Sequence, residues 1–306
     1  LITEFMDEVA VKRLSDTYPT TYAPDLADRQ TDILALMPEV QALVVRNRTE
    51  VTRDLLAHAP NLRLVGRLGV GLDNIDLNAC AELDVEVAPA TGANTLSVAE
   101  YVITNALILL RGAYQKSDQM LNGEWPRAAS SGREVSGRVL GFIGYGAIAQ
   151  ETAGLASCLG MRTIAFDPFL PPESAAWGMT NRMELADVLS AADVVSLHVP
   201  MTDETRHMIN ETTLKKMKHD AVLINAARGG VVDEHALAAS LRSGHLGGAA
   251  LDVFETEPLT ANSAAVFDGI SNLILTPHIA GVTEESNIRV SETITDIVLD
   301  RIGKSK

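Results

Sequence analysis

Val139-Leu-Gly-Phe-Ile-Gly-Tyr-Gly-Ala-Ile-Ala149 is the stretch from which the fold is read. An apolar, strand-like run enters a tight glycine turn, and the turn enters a helix. Gly144, Gly146 and Ala149 form a G-x-G-x-x-A pattern, the dinucleotide-binding fingerprint in its alanine-ended form. The first glycine permits the turn, the second lets backbone approach a pyrophosphate, and the third position must be small so that helix and strand pack. Amides at the helix N-terminus then attract phosphate charge. Since 138 residues precede Val139, another folded unit is expected ahead of it.

Glycine-rich strand–helix turns also arise for packing alone, so a second signal is needed. Asp167 ends the next strand-like run, 23 residues after Gly144, where a carboxylate can bind the adenosine ribose hydroxyls. The same charge repels a 2′-phosphate, and Pro168 rather than an arginine follows it, so NAD is favoured over NADP. The alternative is an aspartate that only caps the turn before Pro168.

Strand-like runs alternate with amphipathic helical patterns throughout, which implies parallel βαβ units. The expected strands are 1–3, 20–22, 42–45, 62–66 and 85–88 in the first part, then 139–143, 163–166, 194–198, 222–225, 249–253 and 273–276. The last six fit a doubly wound dinucleotide domain. Helices are expected at 7–17, 52–59, 97–112 and 284–302. The helix at 97–112 is too apolar for an open surface and is expected between domains or in a subunit interface. The final helix has no strand after it, so it is expected to return and complete the first domain.

With 306 residues the chain is long enough for two cores. Hydrophobic content of 46% and charged content of 21% are ordinary for a globular protein. A net charge of −15 argues against nucleic-acid or anionic-membrane partners, which select basic faces. The most apolar run, 102–110, is interrupted by Thr104 and Asn105 and is too short to span a bilayer. The opening Leu1-Ile-Thr-Glu reads as a strand rather than a secretory signal. Cys80 and Cys158 lack metal-ligand spacing and read as small core residues of a cytoplasmic protein. Histidines 58, 198, 207, 219, 235 and 245 show no paired ligand spacing either, so no metal is expected.

Three further stretches fall at strand ends, the side on which doubly wound sheets bind ligands. They are Asn225-Ala-Ala-Arg228-Gly-Gly, Leu251-Asp252-Val-Phe-Glu-Thr-Glu257-Pro258 and Thr276-Pro-His278-Ile-Ala-Gly281. With Gly66-Arg-Leu-Gly-Val-Gly-Leu-Asp-Asn-Ile-Asp76, Asn94-Thr-Leu-Ser-Val-Ala-Glu100 and His198-Val-Pro-Met-Thr202, the chain resembles the D-isomer-specific 2-hydroxyacid dehydrogenases, the family containing D-3-phosphoglycerate dehydrogenase. The resemblance runs over nearly the whole chain. It implies two Rossmann-like domains: a doubly wound NAD-binding domain at 94–280, and a flavodoxin-like, discontinuous substrate domain at 1–93 and 281–306.

The reaction explains the residue types. Reducing a 2-oxo acid needs a hydride at C2, a proton for the developing alkoxide and a cation for the carboxylate. His278 suits the proton donor in reduction and the base in oxidation. The resemblance implies that Glu257 partners it. Arg228 offers a planar fork for carboxylate and carbonyl. The resemblance further implies that Asp252 holds the nicotinamide carboxamide and that backbone amides at Val70 and Gly71 contact the substrate carboxylate. It also implies that Ala147, Ile148, His198, Val199, Pro200, Thr205 and Ala226 line the cofactor site, which His278 also faces.

Val44-Val-Arg46-Asn47-Arg48-Thr49 lies at a strand end, and the resemblance places it at the substrate mouth. Two arginines in three residues suit a substrate with a second anionic group; the alternative is a solvated loop pairing with nearby acids. Arg67 is a further candidate. The phosphoglycerate branch continues past the histidine with Ser-Thr, whereas this chain has His278-Ile-Ala-Gly-Val-Thr-Glu284, and no appended regulatory domain is expected. Thr91-Gly-Ala-Asn94 and the 278–284 stretch resemble the (S)-sulfolactate branch. Val70 stands where phosphite dehydrogenases carry a lysine. Rival readings are a glyoxylate or hydroxypyruvate reductase and an NADH-sensing, corepressor-like binding protein. The resemblance implies a homodimer formed through the 102–110 helix and the arm around Trp125.

Overall fold

The computed structural model describes residues 1–114 and 116–303. They divide into two compact units: Leu1–Asn94 with the chain from Val282 onward, and Thr95–Gly281.

In the first unit, strands β1 (Ala42–Val45), β2 (Leu64–Arg67) and β3 (Glu86–Pro89) form a parallel sheet. The expected strands at 1–3 and 20–22 are reduced to single bridges, Ile2 pairing with both Tyr22 and Val44. Helical turns follow each bridge. Asp7 caps the helix Glu8–Ser15, which begins six residues after Ile2, by accepting from the N–H groups of Val9 and Ala10, and the 3-10 turn Leu26–Asp28 begins four residues after Tyr22. The spatial order from the Tyr22 segment through Ile2, β1 and β2 to β3 is the flavodoxin-like one. The helix Glu284–Gly303 buries Val290, Ile294 and Val298 against Ile2, Met6, Val44 and Leu64. Gly66 makes that approach possible, because a Cβ there would sit 2.8 Å from Ile294 Cγ2.

The second unit is a seven-stranded parallel sheet. Its strands are β4 (Val139–Ile143), β5 (Arg162–Phe166), β6 (Asn181–Arg182), β7 (Val194–Leu197), β8 (Val222–Asn225), β9 (Gly248–Leu251) and β10 (Leu273–Leu275), in the order β10-β9-β8-β7-β4-β5-β6. The strand order reverses between β4 and β7, the switch point at which such sheets bind ligands. Strands β4, β7, β8 and β9 are buried throughout, which is why each reads as a continuous rather than an alternating apolar run. Along β4, Val139 and Ile143 face one core, while Leu140 and Phe142 face the other. The strand β6 escapes sequence reading because both its residues are exposed and two residues carry no periodicity.

One expectation is refined and another needs correction. The helix Thr95–Arg111 owes its apolar character to its own unit, burying Val102, Ile103, Ala106, Leu109 and Leu110 in the core shared with β4, β8 and the helix Ala147–Cys158. Cys158 is exposed at the last turn of its helix, and only Cys80 is a core residue. No helix among the described residues is long and apolar enough to cross a membrane.

Candidate active site

The glycine turn leaves β4 with Gly144 at φ 85°, a left-handed conformation that glycine adopts without a Cβ penalty. A side chain there would also strike the His198 carbonyl at the end of β7, so the position is closed to other residues twice over. Gly146 differs: its φ is ordinary, and a Cβ would meet nothing within 4 Å. That open space is where a pyrophosphate would need to approach the backbone. Gly146 is the N-cap of Ala147–Cys158 and supplies no side-chain cap, so the N–H groups of Ala147 and Ile148 are left for an anion. Ala149 is fully buried, as its packing role requires.

Asp167 serves both of its sequence readings. Its Oδ1 accepts from the N–H groups of Phe169 and Leu170 at 2.8 and 3.1 Å, capping the turn after β5. Its Oδ2 accepts from Tyr145 N at 2.8 Å, tying that turn to the glycine turn. A carboxylate has about four lone-pair sites, so acceptor capacity for a ribose hydroxyl is left on Oδ2. Beside β4, the His198 ring lies 5.6 Å from the Phe142 ring, with Nε2 2.9 Å from Ser196 Oγ. Burial lowers its pKa to about 4 and keeps the imidazole neutral. Thr205 Oγ1 accepts from Thr202 N and donates to the Pro200 carbonyl, bracing the loop that carries Val199 and Pro200. Ala226 follows β8 directly and is half-buried.

The candidate reacting groups follow β8, β9 and β10. Asn225 is buried and spans the turn after β8: Nδ2 donates to the Arg228 carbonyl at 3.0 Å, and Oδ1 accepts from Ala227 N at 3.1 Å. Gly229 packs so closely on the Phe254 carbonyl that no Cβ fits. Arg228 is therefore held by its backbone, and its Nη1 donates to the Ala227 carbonyl at 2.6 Å. Glu257 Oε1 accepts from Phe254 N at 3.0 Å, while Oε2 lies 2.7 Å from His278 Nδ1. Burial opposes ionisation of Glu257, but hydrogen bonds from His278 and Phe254 and the charges of His278 and Arg228 outweigh it, holding the carboxyl below its ordinary range. An ionised carboxylate only accepts, so His278 Nδ1 carries a proton and Nε2 is the ring nitrogen left for proton exchange.

His278 occupies a left-handed conformation at φ 55°, which a residue keeps only when its surroundings over-determine it. Asp252 supplies that constraint. Its backbone carbonyl accepts from His278 N at 2.9 Å. Its buried carboxylate accepts from Thr276 Oγ1, Ile279 N and Ala280 N at 2.6, 2.8 and 2.7 Å. Asp252, expected at the carboxamide, also clamps the loop that carries the histidine. Tyr101 extends the chain by donating to Thr276 Oγ1 at 2.7 Å, and burial pushes its hydroxyl up to about 12.

The remaining candidates belong to the first unit. Arg46 is half-buried, and its Nη2 donates to Asn287 Oδ1 at 2.8 Å. Arg48 is more exposed and pairs with Asp28, so the two guanidiniums take different partners and the acid-pairing alternative holds for Arg48. Asn47 is exposed between them. After β2, Val70 and Gly71 form an open loop whose two N–H groups find no acceptor among the described residues. Arg67 at the end of β2 folds over Gly69 and donates to the Leu68 carbonyl at 3.2 Å. Sequence reading missed Asn225, Thr276, Asn287 and Glu4, which touch backbone or other side chains rather than standing in an expected reactive role. Among the described residues no group of three or more His, Cys, Asp or Glu side chains is arranged to hold a metal ion.

A family model described as "D-isomer specific 2-hydroxyacid dehydrogenase, NAD binding domain" matches residues 103–280. The chain belongs to this family. It is an NAD-dependent 2-hydroxyacid dehydrogenase, and the uncapped amides of Ala147 and Ile148, the room above Gly146 and the free capacity of Asp167 fit that cofactor. Over 304 residues the dehydrogenase is 55% identical to an (S)-sulfolactate dehydrogenase of Chromohalobacter salexigens, covering 99% of this chain and 98% of that protein. It is 35% identical to a D-3-phosphoglycerate dehydrogenase of Synechocystis, covering 100% of this chain and 55% of that longer relative. Among solved structures, D-lactate dehydrogenase of Aquifex aeolicus with NAD and lactic acid is similar at a TM-score of 0.79 and 30% identity, covering 88% of this chain and 85% of that one.

Proposed function

We propose that this dehydrogenase interconverts a D-configured 2-hydroxy acid bearing a second anionic group with its 2-oxo acid, and that sulfolactate is the leading substrate. The observation that carries the substrate reading is Arg46: a half-buried guanidinium, oriented by Asn287, on the strand-end loop of the first unit. The likeness to the Chromohalobacter enzyme supports a sulfonate as the second anion. The sulfonate raises its CH2 carbon above the carboxylate, though below the hydroxyl, in stereochemical naming, so the S label describes the spatial arrangement of a D-hydroxy acid.

Each group has a defined task in this reading. The nicotinamide supplies or takes the hydride. Arg228 binds the substrate carboxylate and polarises the C2 carbonyl through its planar fork. His278 Nε2 gives its proton to the oxygen in reduction and takes it back in oxidation. Glu257 fixes the ring through Nδ1 and balances the imidazolium charge. The N–H groups of Val70 and Gly71 add a second contact to the carboxylate, and Arg46 meets the distal anion. The first unit is read as the substrate domain and the second as the NAD-binding domain.

We read the protein further as a cytoplasmic homodimer. The segment following the helix Thr95–Arg111 supports a second copy as partner, because Tyr114, Met120, Leu121 and Trp125 are all exposed there, Leu121 and Trp125 at 85% and 76%.

Substitution of Arg46 tests the substrate reading. Arg46→Ala is expected to raise KM for sulfopyruvate about tenfold or more while changing kcat much less, since a distal contact is made equally in ground and transition states. An unchanged KM would remove Arg46 from the site.

A further inference from the structure

A buried carboxylate that the reaction does not use lies beneath the substrate loop. Glu4 is only 4% exposed, and its two oxygens receive four successive backbone N–H groups. Oε1 accepts from Arg46 at 2.7 Å and Thr49 at 2.9 Å. Oε2 accepts from Asn47 at 3.3 Å and Arg48 at 3.1 Å. Amides converging on one point form an anion nest, and here the anion is internal. The opposite face of the turn is held as firmly: Asn74 Nδ2 donates to the carbonyls of Arg46 and Thr49 at 3.3 and 2.6 Å, and Thr49 Oγ1 lies 2.8 Å from Thr3 Oγ1.

Two consequences follow from this geometry. The amides of 46–49 are spent on Glu4, so a substrate anion arriving at the loop is recognised by side chains alone. The direction in which Arg46 leaves the backbone is then set by the turn that Glu4 imposes, and Asn287 completes its aim from the first turns of the C-terminal helix. Burial works against the charge on Arg46, and Glu4 works for it. Isolating a carboxylate from water is costly unless every lone pair is matched, and these lone pairs are matched by this one loop.

We propose that Glu4 is a positioning residue for substrate selection: its carboxylate fixes the 46–49 turn and so aims Arg46 at the distal anionic group of the substrate. The proposal rests on the reading that Arg46 meets that group.

The test is steady-state kinetics of Glu4→Gln beside Arg46→Ala, with sulfopyruvate as the varied substrate and NADH titration as the check of folding. The amide keeps the size of Glu4 but turns one acceptor into a donor facing N–H groups. With Arg46 misaimed, KM is expected to rise about tenfold while kcat stays within about twofold. A protein that is only less stable would lose active fraction, lowering kcat at unchanged KM, and that result would overturn the proposal. Should Glu4→Gln fail to accumulate folded protein, Glu4→Asp keeps the charge with a shorter reach. A raised KM at steady kcat in that variant supports the proposal, and a wild-type KM overturns it. If Arg46→Ala leaves KM unchanged, the distal-anion reading itself fails. If Arg46→Ala raises KM and the Glu4 variants do not, only the inference about Glu4 fails.

Discussion

Replacing Glu257 by glutamine probes the histidine without emptying the site. In the native protein Oε1 accepts from Phe254 N at 3.0 Å and Oε2 faces His278 Nδ1 at 2.7 Å. A glutamine that keeps its oxygen on Phe254 N presents its NH2 to Nδ1, so the ring must accept there and carry its neutral-state proton on Nε2. That is the wrong tautomer for taking a proton from a 2-hydroxy acid. The flipped amide restores the tautomer but sets NH2 against the Phe254 N–H. One buried donor is then unsatisfied, at a cost of about 1–3 kcal/mol. The productive tautomer is correspondingly reduced, and kcat for oxidation is expected to fall about 10- to 100-fold from this effect alone. Both groups are partly exposed, at 46% and 34% for the side chains of His278 and Glu257, so water softens the charge contribution and the tautomer argument carries the estimate. The assay is steady-state oxidation of the 2-hydroxy acid with NAD, paired with NADH fluorescence titration. A variant with kcat within twofold of wild type would refute the pairing, and loss of NADH binding would show that Glu257 acts on the fold instead.

Two further outcomes concern the scaffold. Ile294→Ala, in the buried face of the C-terminal helix packed on Gly66 and Val44, should cost about 2–5 kcal/mol; a denaturant midpoint within error of wild type would contradict that packing. His198 is held neutral in the fold, with its pKa lowered from 6.5 to about 4. The unfolded chain therefore binds the extra proton first as pH falls, and a contribution on the order of 3 kcal/mol is present above about pH 6.5 and lost progressively toward pH 4. His198→Gln should flatten the fall of Tm across that window, and a slope equal to wild type would contradict the assignment.

The legible part of this protein was the part governed by periodicity and by glycine. The run from Val139 to Ala149 identifies β4, its turn and its helix because each position there has a separate steric demand, which Gly144, Gly146 and Ala149 meet in different ways. Asp167, Arg228 and His278 stand out in sequence as ionisable residues after strand-like runs and Glu257 through the family resemblance, and the fold sets Glu257 against His278. Burial alone was a poorer guide: the apolar helix Thr95–Arg111 satisfies its own sheet, and Cys158 points to water although its neighbours Ala153 and Ala156 do not. The supporting residues were illegible for one common reason. Glu4 and Asn225 act on backbone groups far away in sequence or on turns whose shape is known only once the chain is folded. Arg46 and Arg48 look equivalent in sequence, yet Asn287 and Asp28 separate their surroundings.

A dehydrogenase that selects 2-oxo acids by a second negative charge must rank them by that charge. NADH oxidation by the wild-type enzyme, measured with sulfopyruvate, phosphohydroxypyruvate, hydroxypyruvate, glyoxylate and pyruvate, tests it directly. The account predicts the highest kcat/KM for an acid with a second anionic group, sulfopyruvate foremost. Equal kcat/KM for pyruvate and the doubly charged acids would contradict the role of Arg46, and no turnover of any 2-oxo acid would contradict the reaction.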